Sequence, residues 1–143
     1  MGYVDTFSCL SESIRVPEII KTGDLELKRI FLKCFFSDEG GLEINLKNKS
    51  FRIAGTQKNI EFLKEISSII NDFTIKNLIN EKGKRITISK NSEKKKFFDK
   101  IGFLEGSKIV KGKFIGYDKM ELLKHCLNNE WDYLIKIKKD KSN

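Results

Sequence analysis

Gly41-Leu42-Glu43-Ile44-Asn45-Leu46-Lys47-Asn48-Lys49-Ser50-Phe51-Arg52-Ile53 is the stretch that decides the fold. Leu42, Ile44 and Leu46 alternate strictly with Glu43, Asn45 and Lys47, which is the period of a half-buried strand. Asn48-Lys49 reads as a turn. The returning strand puts Phe51 and Ile53 inward and Arg52 outward. Just upstream, Asp24 is a good N-cap for a helix that runs to about Glu39, where Gly40-Gly41 stops it. The polar stripe of that helix is Glu26, Arg29, Lys33 and Ser37. Most of the rest is apolar: Leu25, Leu27, Ile30, Phe31, Leu32, Cys34, Phe35 and Phe36. A helix apolar over so wide an arc packs on its own domain and on something else as well.

Downstream, Ile60, Leu63, Ile66, Ile69, Ile70 and Phe73 recur at helical spacing over about residues 58–72. A second hairpin follows, 74–80 and 85–89, turning at Glu81-Lys82-Gly83-Lys84. Ile86 and Ile88 point inward; Arg85, Thr87 and Ser89 point outward. A helix over about 92–100 carries Phe97, Phe98 and Ile101 on its apolar side. After a glycine-containing loop, Asp118 and Glu121 resemble a capping box opening one last helix. Its stripe is Met120, Leu123, Leu127, Trp131 and Leu134.

The predicted organisation is an irregular lead-in over 1–23 with one short strand or turn, a domain over 24–139, and a basic tail over 140–143, with the end from Lys136 to Asn143 frayed. The order α-ββ-α-ββ-α predicts an α/β (α+β) fold: a four-stranded antiparallel sheet with helices on one face.

A chain of 143 residues is the usual size of one domain. No apolar run is long enough to span a bilayer. No basic segment followed by an apolar stretch opens the chain, so no signal peptide and a cytoplasmic location are expected. Met1-Gly2-Tyr3-Val4-Asp5-Thr6 fits the N-myristoylation pattern formally, but bulky Tyr3 argues against it. Cys9, Cys34 and Cys126 are odd in number and include no Cys-x-x-Cys, which argues against a disulfide framework and a zinc site. His125 is the only histidine and reads as a helix-surface residue, so hydrolytic chemistry falls to carboxylates, lysines and a hard metal.

The net charge is +8, and it is not spread evenly. Residues 76–113 hold twelve Lys/Arg against four Asp/Glu, so the whole excess lies there and the remainder of the chain is balanced. Such a patch is the footprint of a polyanion binder. Lys-rich coding bias on a solvated face is the other reading of the same charge. The open face of the sheet would carry Asn45, Lys47, Arg52, Lys76, Asn80, Arg85, Thr87 and Ser89, with Glu43 its one carboxylate. These side chains hydrogen-bond to base edges and phosphates, and a β-ribbon fits the major groove. The expected partner is double-stranded DNA, with RNA possible.

Asp38-Glu39 ends the first helix, where the helix dipole disfavours carboxylates. A cation must offset them. A lysine would serve, and so would a divalent ion, since carboxylates and carbonyl groups suit Mg²⁺.

Leu32-Lys33-Cys34-Phe35-Phe36-Ser37-Asp38-Glu39-Gly40 resembles the nine-residue signature of the LAGLIDADG homing endonucleases. Phe31-Leu32 and Gly41-Leu42-Glu43-Ile44 are similar to its flanks. Phe98-Asp99-Lys100-Ile101-Gly102-Phe103, followed by Lys108, resembles the family's recurring second segment. The resemblance covers about residues 17–135. It implies a saddle-shaped sheet seated on DNA, with signature helices packed at the axis of two domains. It also implies that Glu39 is a metal ligand for Mg²⁺ or Mn²⁺, completed by backbone carbonyl groups near Gly40, and that metals support phosphodiester hydrolysis. Lys108 would be the basic residue near the scissile phosphate, and Gln57 matches a polar active-site position. Three positions depart from the signature: Cys34 stands for the usual glycine, Ser37 for aspartate and Asp38 for a small residue.

With one signature, two sites need a partner, most simply a second copy related by a two-fold axis. Phe31, Cys34, Phe35 and Asp38 would line that seam. The sequence thus points to a homodimeric, metal-dependent, site-specific DNA endonuclease. The alternatives are a non-cleaving nucleic-acid-binding module, either splicing helper or regulator, and an unrelated α/β domain.

Overall fold

The computed structural model describes residues 15–142. Met1–Thr6, Cys9 and most of the lead-in lie outside the described residues. Pro17 is followed by a one-turn helix α1 (Glu18–Lys21), not by a strand. Val16 beside it is buried in the core, and its N–H donates to Glu65 Oε1 at 2.9 Å.

Helix α2 (Leu25–Glu39) starts where the sequence predicts, with the Asp24 carboxylate accepting from Leu27 N–H at 2.9 Å. It also ends at Glu39, where the sequence predicts, and Gly40 and Gly41 are the first residues of strand β1 (Gly40–Asn45), with Gly40 already extended at φ −137°, ψ −171°. The strand passes close over its neighbour here, because a Cβ on Gly40 would lie 2.5 Å from the Ala54 carbonyl oxygen. Helix α2 therefore runs directly into the sheet.

The remaining elements are β2 (Ser50–Thr56), α3 (Ile60–Asn71), β3 (Leu78–Asn80), β4 (Arg85–Ile88), α4 (Asn91–Lys100), α5 (Lys119–Leu127) and α6 (Trp131–Ser142). All strand pairs are antiparallel and the sheet order is β1-β2-β4-β3. The described residues thus form a mixed α+β fold with six helices and a four-stranded antiparallel sheet.

Register sorts the side chains by face. Leu42 opposes Ile53, which opposes Ile88; Gly55 opposes Ile86, which opposes Ile79. This inner face meets an aromatic cluster from the helices. Phe35 and Phe36 pack edge to face at 5.1 Å, as do Phe36 and Phe97. A Cβ on Gly55 would lie 2.7 Å from the Phe35 ring, so glycine there lets α2 settle onto β2.

Four expectations need correction. Leu42, Ile44 and Leu46 are only partly buried, because β1 is an edge strand and the cover is incomplete on that side. The predicted strand 74–80 shortens to β3, since Ile75 turns into the core and Lys76 N–H bonds to Glu93 Oε1 at 2.7 Å. The single last helix is two helices. Asn129 adopts φ 57°, and Glu130 N–H closes on the His125 carbonyl at 3.0 Å, so the chain turns between α5 and α6. The turn aims Trp131 at Phe51, with ring centroids 6.1 Å apart. Helix α6 also continues to Ser142, into the segment read as a fraying tail. Among the described residues, no helix is long and apolar enough to cross a membrane.

Candidate functional site

The end of α2, the outer face of β1 and β2, and the loop before α5 enclose an open hollow of about 460 Å³. Asp38, Glu39, Gly40, Gly41 and Glu43 line it from the helix and first strand. Ala54 and Thr56 line it from β2, Val110 and Lys111 from the loop, and Lys119 from α5. The floor is low because Gly41 and Ala54 oppose each other in the register.

The carboxylates at the helix end are offset by a lysine. Lys119 is buried, and its Nζ donates to the carbonyl oxygens of Ser37 and Gly40, each at 2.8 Å. A cation there satisfies acceptors that α2 leaves unpaired and meets the negative end of its dipole. Burial lowers the Lys119 pKa from its ordinary value, while the nearby Asp38 charge works the other way. Burial, followed by the Asp38 charge, raises the Glu39 pKa. Among the described residues no hydrogen-bond or ion-pair partner meets the Glu39 carboxylate, which leaves it available to a ligand in the hollow.

The sequence reading missed Lys119. A faint signal was present: lysine occupies the first turn of a helix, where the dipole disfavours it, so it must answer to another element. The start of α5 is held by Lys119 N–H on the Ser107 carbonyl at 2.9 Å and by a bridge between Lys108 and Asp118. Lys108 is thereby held by its backbone, is exposed, and does not line the hollow; Lys111 and Lys119 bring the positive charge there. Gln57 is buried and also does not line the hollow. Its neighbour Thr56 does, with Oγ1 donating to the Glu39 carbonyl at 3.4 Å.

A metal was expected at Glu39 and Gly40. Among the described residues, no three His, Cys, Asp or Glu side chains are grouped to hold one. The Gly40 carbonyl already accepts from the Lys119 ammonium, and a divalent cation on the same oxygen would sit against that charge. Glu39, with Asp38 next to it, is a donor set of one or two carboxylates. That suits Mg²⁺ completed by phosphate oxygens and water, not an all-protein cage.

The sheet residues fall largely as the alternation predicts. Asn45, Arg52, Asn80, Arg85 and Thr87 share the outer face, with Thr56 opposite Arg85 and Glu43 opposite Arg52. Lys47 lies in the β1–β2 turn, Lys76 just before β3, and Ser89 just after β4 beside Arg52. Their partners were not legible. Glu43 takes Arg52 Nε at 2.5 Å and also pairs with Arg85. Burial raises the Glu43 pKa, but the Arg85 and Arg52 hydrogen bonds and charges outweigh it, so the net shift is downward. The Asn45 and Asn80 side-chain oxygens accept from Asn48 N–H at 3.0 Å and Gly83 N–H at 2.9 Å, and so cap the two hairpin turns. Leu78, 72% exposed, is an apolar residue on the same face.

Along α2, Ile30 is 45% exposed and Phe31 and Cys34 are half-buried, while Asp38 is exposed. Phe35 is not on that side. It is 1% exposed, packed between Phe36 and Phe62 of its own core, and therefore cannot line a seam between copies.

Comparison with protein-family models, curated proteins and solved structures gave no match.

Proposed function

We propose that this chain binds nucleic acid across the outer sheet face and acts on a phosphodiester placed in the hollow at the end of α2. The observation that carries this reading is the meeting of unpaired Glu39 with Lys111 and Lys119 at the margin of an outer face bearing Arg52, Arg85, Asn45 and Asn80. Carboxylate and ammonium groups in one hollow are the pairing that metal-assisted phosphate chemistry uses. The α-ββ-α-ββ-α order and the signature resemblance at Leu32–Gly40 support a homing-endonuclease-like protein, with two copies pairing through the exposed side of α2.

In this reading the sheet orients the duplex. Lys111 draws the backbone toward the hollow. Lys119 keeps the α2 terminus in place and adds positive potential beneath the phosphate. A Mg²⁺ or Mn²⁺ ion held by Glu39, with Asp38 beside it, would supply Lewis acidity at the scissile phosphate. Glu39→Gln then abolishes strand cleavage and leaves DNA affinity intact.

A second reading is a binder that does not cleave. The Lys119 ammonium on the Gly40 carbonyl favours it, because the helix end is already neutralised without a metal. Selection from a randomised duplex library, followed by incubation with and without Mg²⁺ and Mn²⁺, separates the two. A selected site that is bound tightly and left intact in both metals removes the nuclease reading. Absence of any binding removes both.

A further inference from the structure

A second hollow, of about 480 Å³, lies against the edge strand β1. Its floor is apolar, with Leu42 and Phe114 among the lining residues, and its rim carries Lys47, Lys111, Lys113 and Lys138. Among the described residues, no Asp or Glu lines it. Lys113 and Lys138 line it together, and the Lys113 charge lowers the Lys138 pKa. Four lysines around one hollow raise the local positive potential and draw an anion into it. Lys111 and Leu42 line both this hollow and the one at Glu39, so the two are continuous along β1.

We infer that this lysine-rimmed hollow seats the sugar–phosphate backbone of a nucleic-acid strand leaving the Glu39 hollow, with Lys113 and Lys138 sharing one phosphate. The inference rests on the nucleic-acid reading above. Charge complementarity and continuity with the carboxylate hollow commit it to a polynucleotide, not a lipid headgroup. The lysines act on the backbone, so they contribute affinity and register, not base choice.

The test is fluorescence anisotropy of a labelled duplex titrated at several salt concentrations, with the full chain and its Lys113→Ala/Lys138→Ala variant. The variant should bind more weakly by about tenfold at moderate salt, and its log–log salt slope should shrink by about 0.9 for each phosphate it no longer neutralises. Lys113→Arg/Lys138→Arg should keep most of both. If the wild-type chain binds DNA with a steep salt slope and the alanine variant matches it, this seat is wrong and the sheet-face reading stands. If the wild-type chain binds neither duplex nor single strand, both fall. Phosphatidylserine vesicles provide the third arm: loss of vesicle binding in the variant, with DNA binding unchanged, reassigns the rim to a membrane and overturns the inference. Should the alanine variant fail to melt cooperatively, Lys47→Ala, at a lysine that lines this hollow and not the one at Glu39, reads the same rim from its other side with the same direction of change.

Discussion

Lys119 Nζ lies 2.8 Å from the carbonyl oxygen of Gly40, a contact across 79 residues of chain. It ties the first turn of α5 to the last turn of α2 through the same amine that bonds Ser37, also at 2.8 Å. The negative end of one helix is answered by a charge from the start of another.

Lys119→Met leaves two carbonyl groups without this donor and removes the charge that offsets Asp38 and Glu39. The expected cost is about 1–3 kcal/mol, the range for unsatisfied buried groups. Urea unfolding of both proteins measures it. An unchanged midpoint would show that the amine does not hold the helix end.

Glu43 binds both Arg52 and Arg85 on the outer face. The pair is partly exposed, so Glu43→Gln should change stability by no more than about 1 kcal/mol. Its effect on DNA should be larger and informative. If the proposed nucleic-acid reading holds, the arginines freed of their carboxylate should gain affinity for any duplex and lose the geometry that distinguishes sequences. Gel shifts against a selected site and a scrambled one should show a narrowed ratio with tighter scrambled binding. Equal weakening on both duplexes contradicts the clamp.

The proposed pairing of two copies through α2 is tested by two substitutions with opposite outcomes. Cys34→Arg, on the exposed side, should yield folded monomers wherever the wild-type chain dimerises. Phe35→Ala opens a cavity beneath the same helix and should cost about 3–5 kcal/mol in folding. Light scattering and thermal melting report the two results. A cooperative, folded Phe35→Ala monomer would place that residue at the seam after all.

Glu93 is buried, and its pKa falls to about 2, first through the Lys76 backbone N–H, then through Ser92 and Lys96. The Lys76 bond measures 2.7 Å. Because the folded-state value is the lower one, this stabilisation is fully present above the ordinary value of 4.5 and is lost as pH falls towards 2. Glu93→Gln should therefore be less stable at neutral pH, with the difference closing on the acid limb. A gap constant across that window would remove Glu93 from acid denaturation.

Periodicity made most of the elements legible. The alternation over Leu42–Asn45 and Phe51–Ile53 assigned those side chains to the correct face, because strand geometry repeats every two residues whatever lies beyond it. The caps at Asp24 and Asp118 were readable for the same reason, since a cap and its N–H lie three residues apart. Apolar character alone did not reveal which side of α2 meets which partner. Phe35 and Cys34 are neighbours in sequence with opposite fates, decided by where β2 and Phe62 stand.

The sequence by itself determined the order of helices and hairpins, the polar and apolar sheet faces, and the uneven charge, all of which follow from local spacing and composition. Only the tertiary structure decided what those charges do. Glu43 joins two arginines from separate strands, and the cation at the end of α2 is Lys119, far along the chain. Ion pairs and caps of this kind depend on distance in space. The chain fixes that distance only once the core of Phe35, Phe36, Phe62 and Phe97 has closed and set the elements against one another.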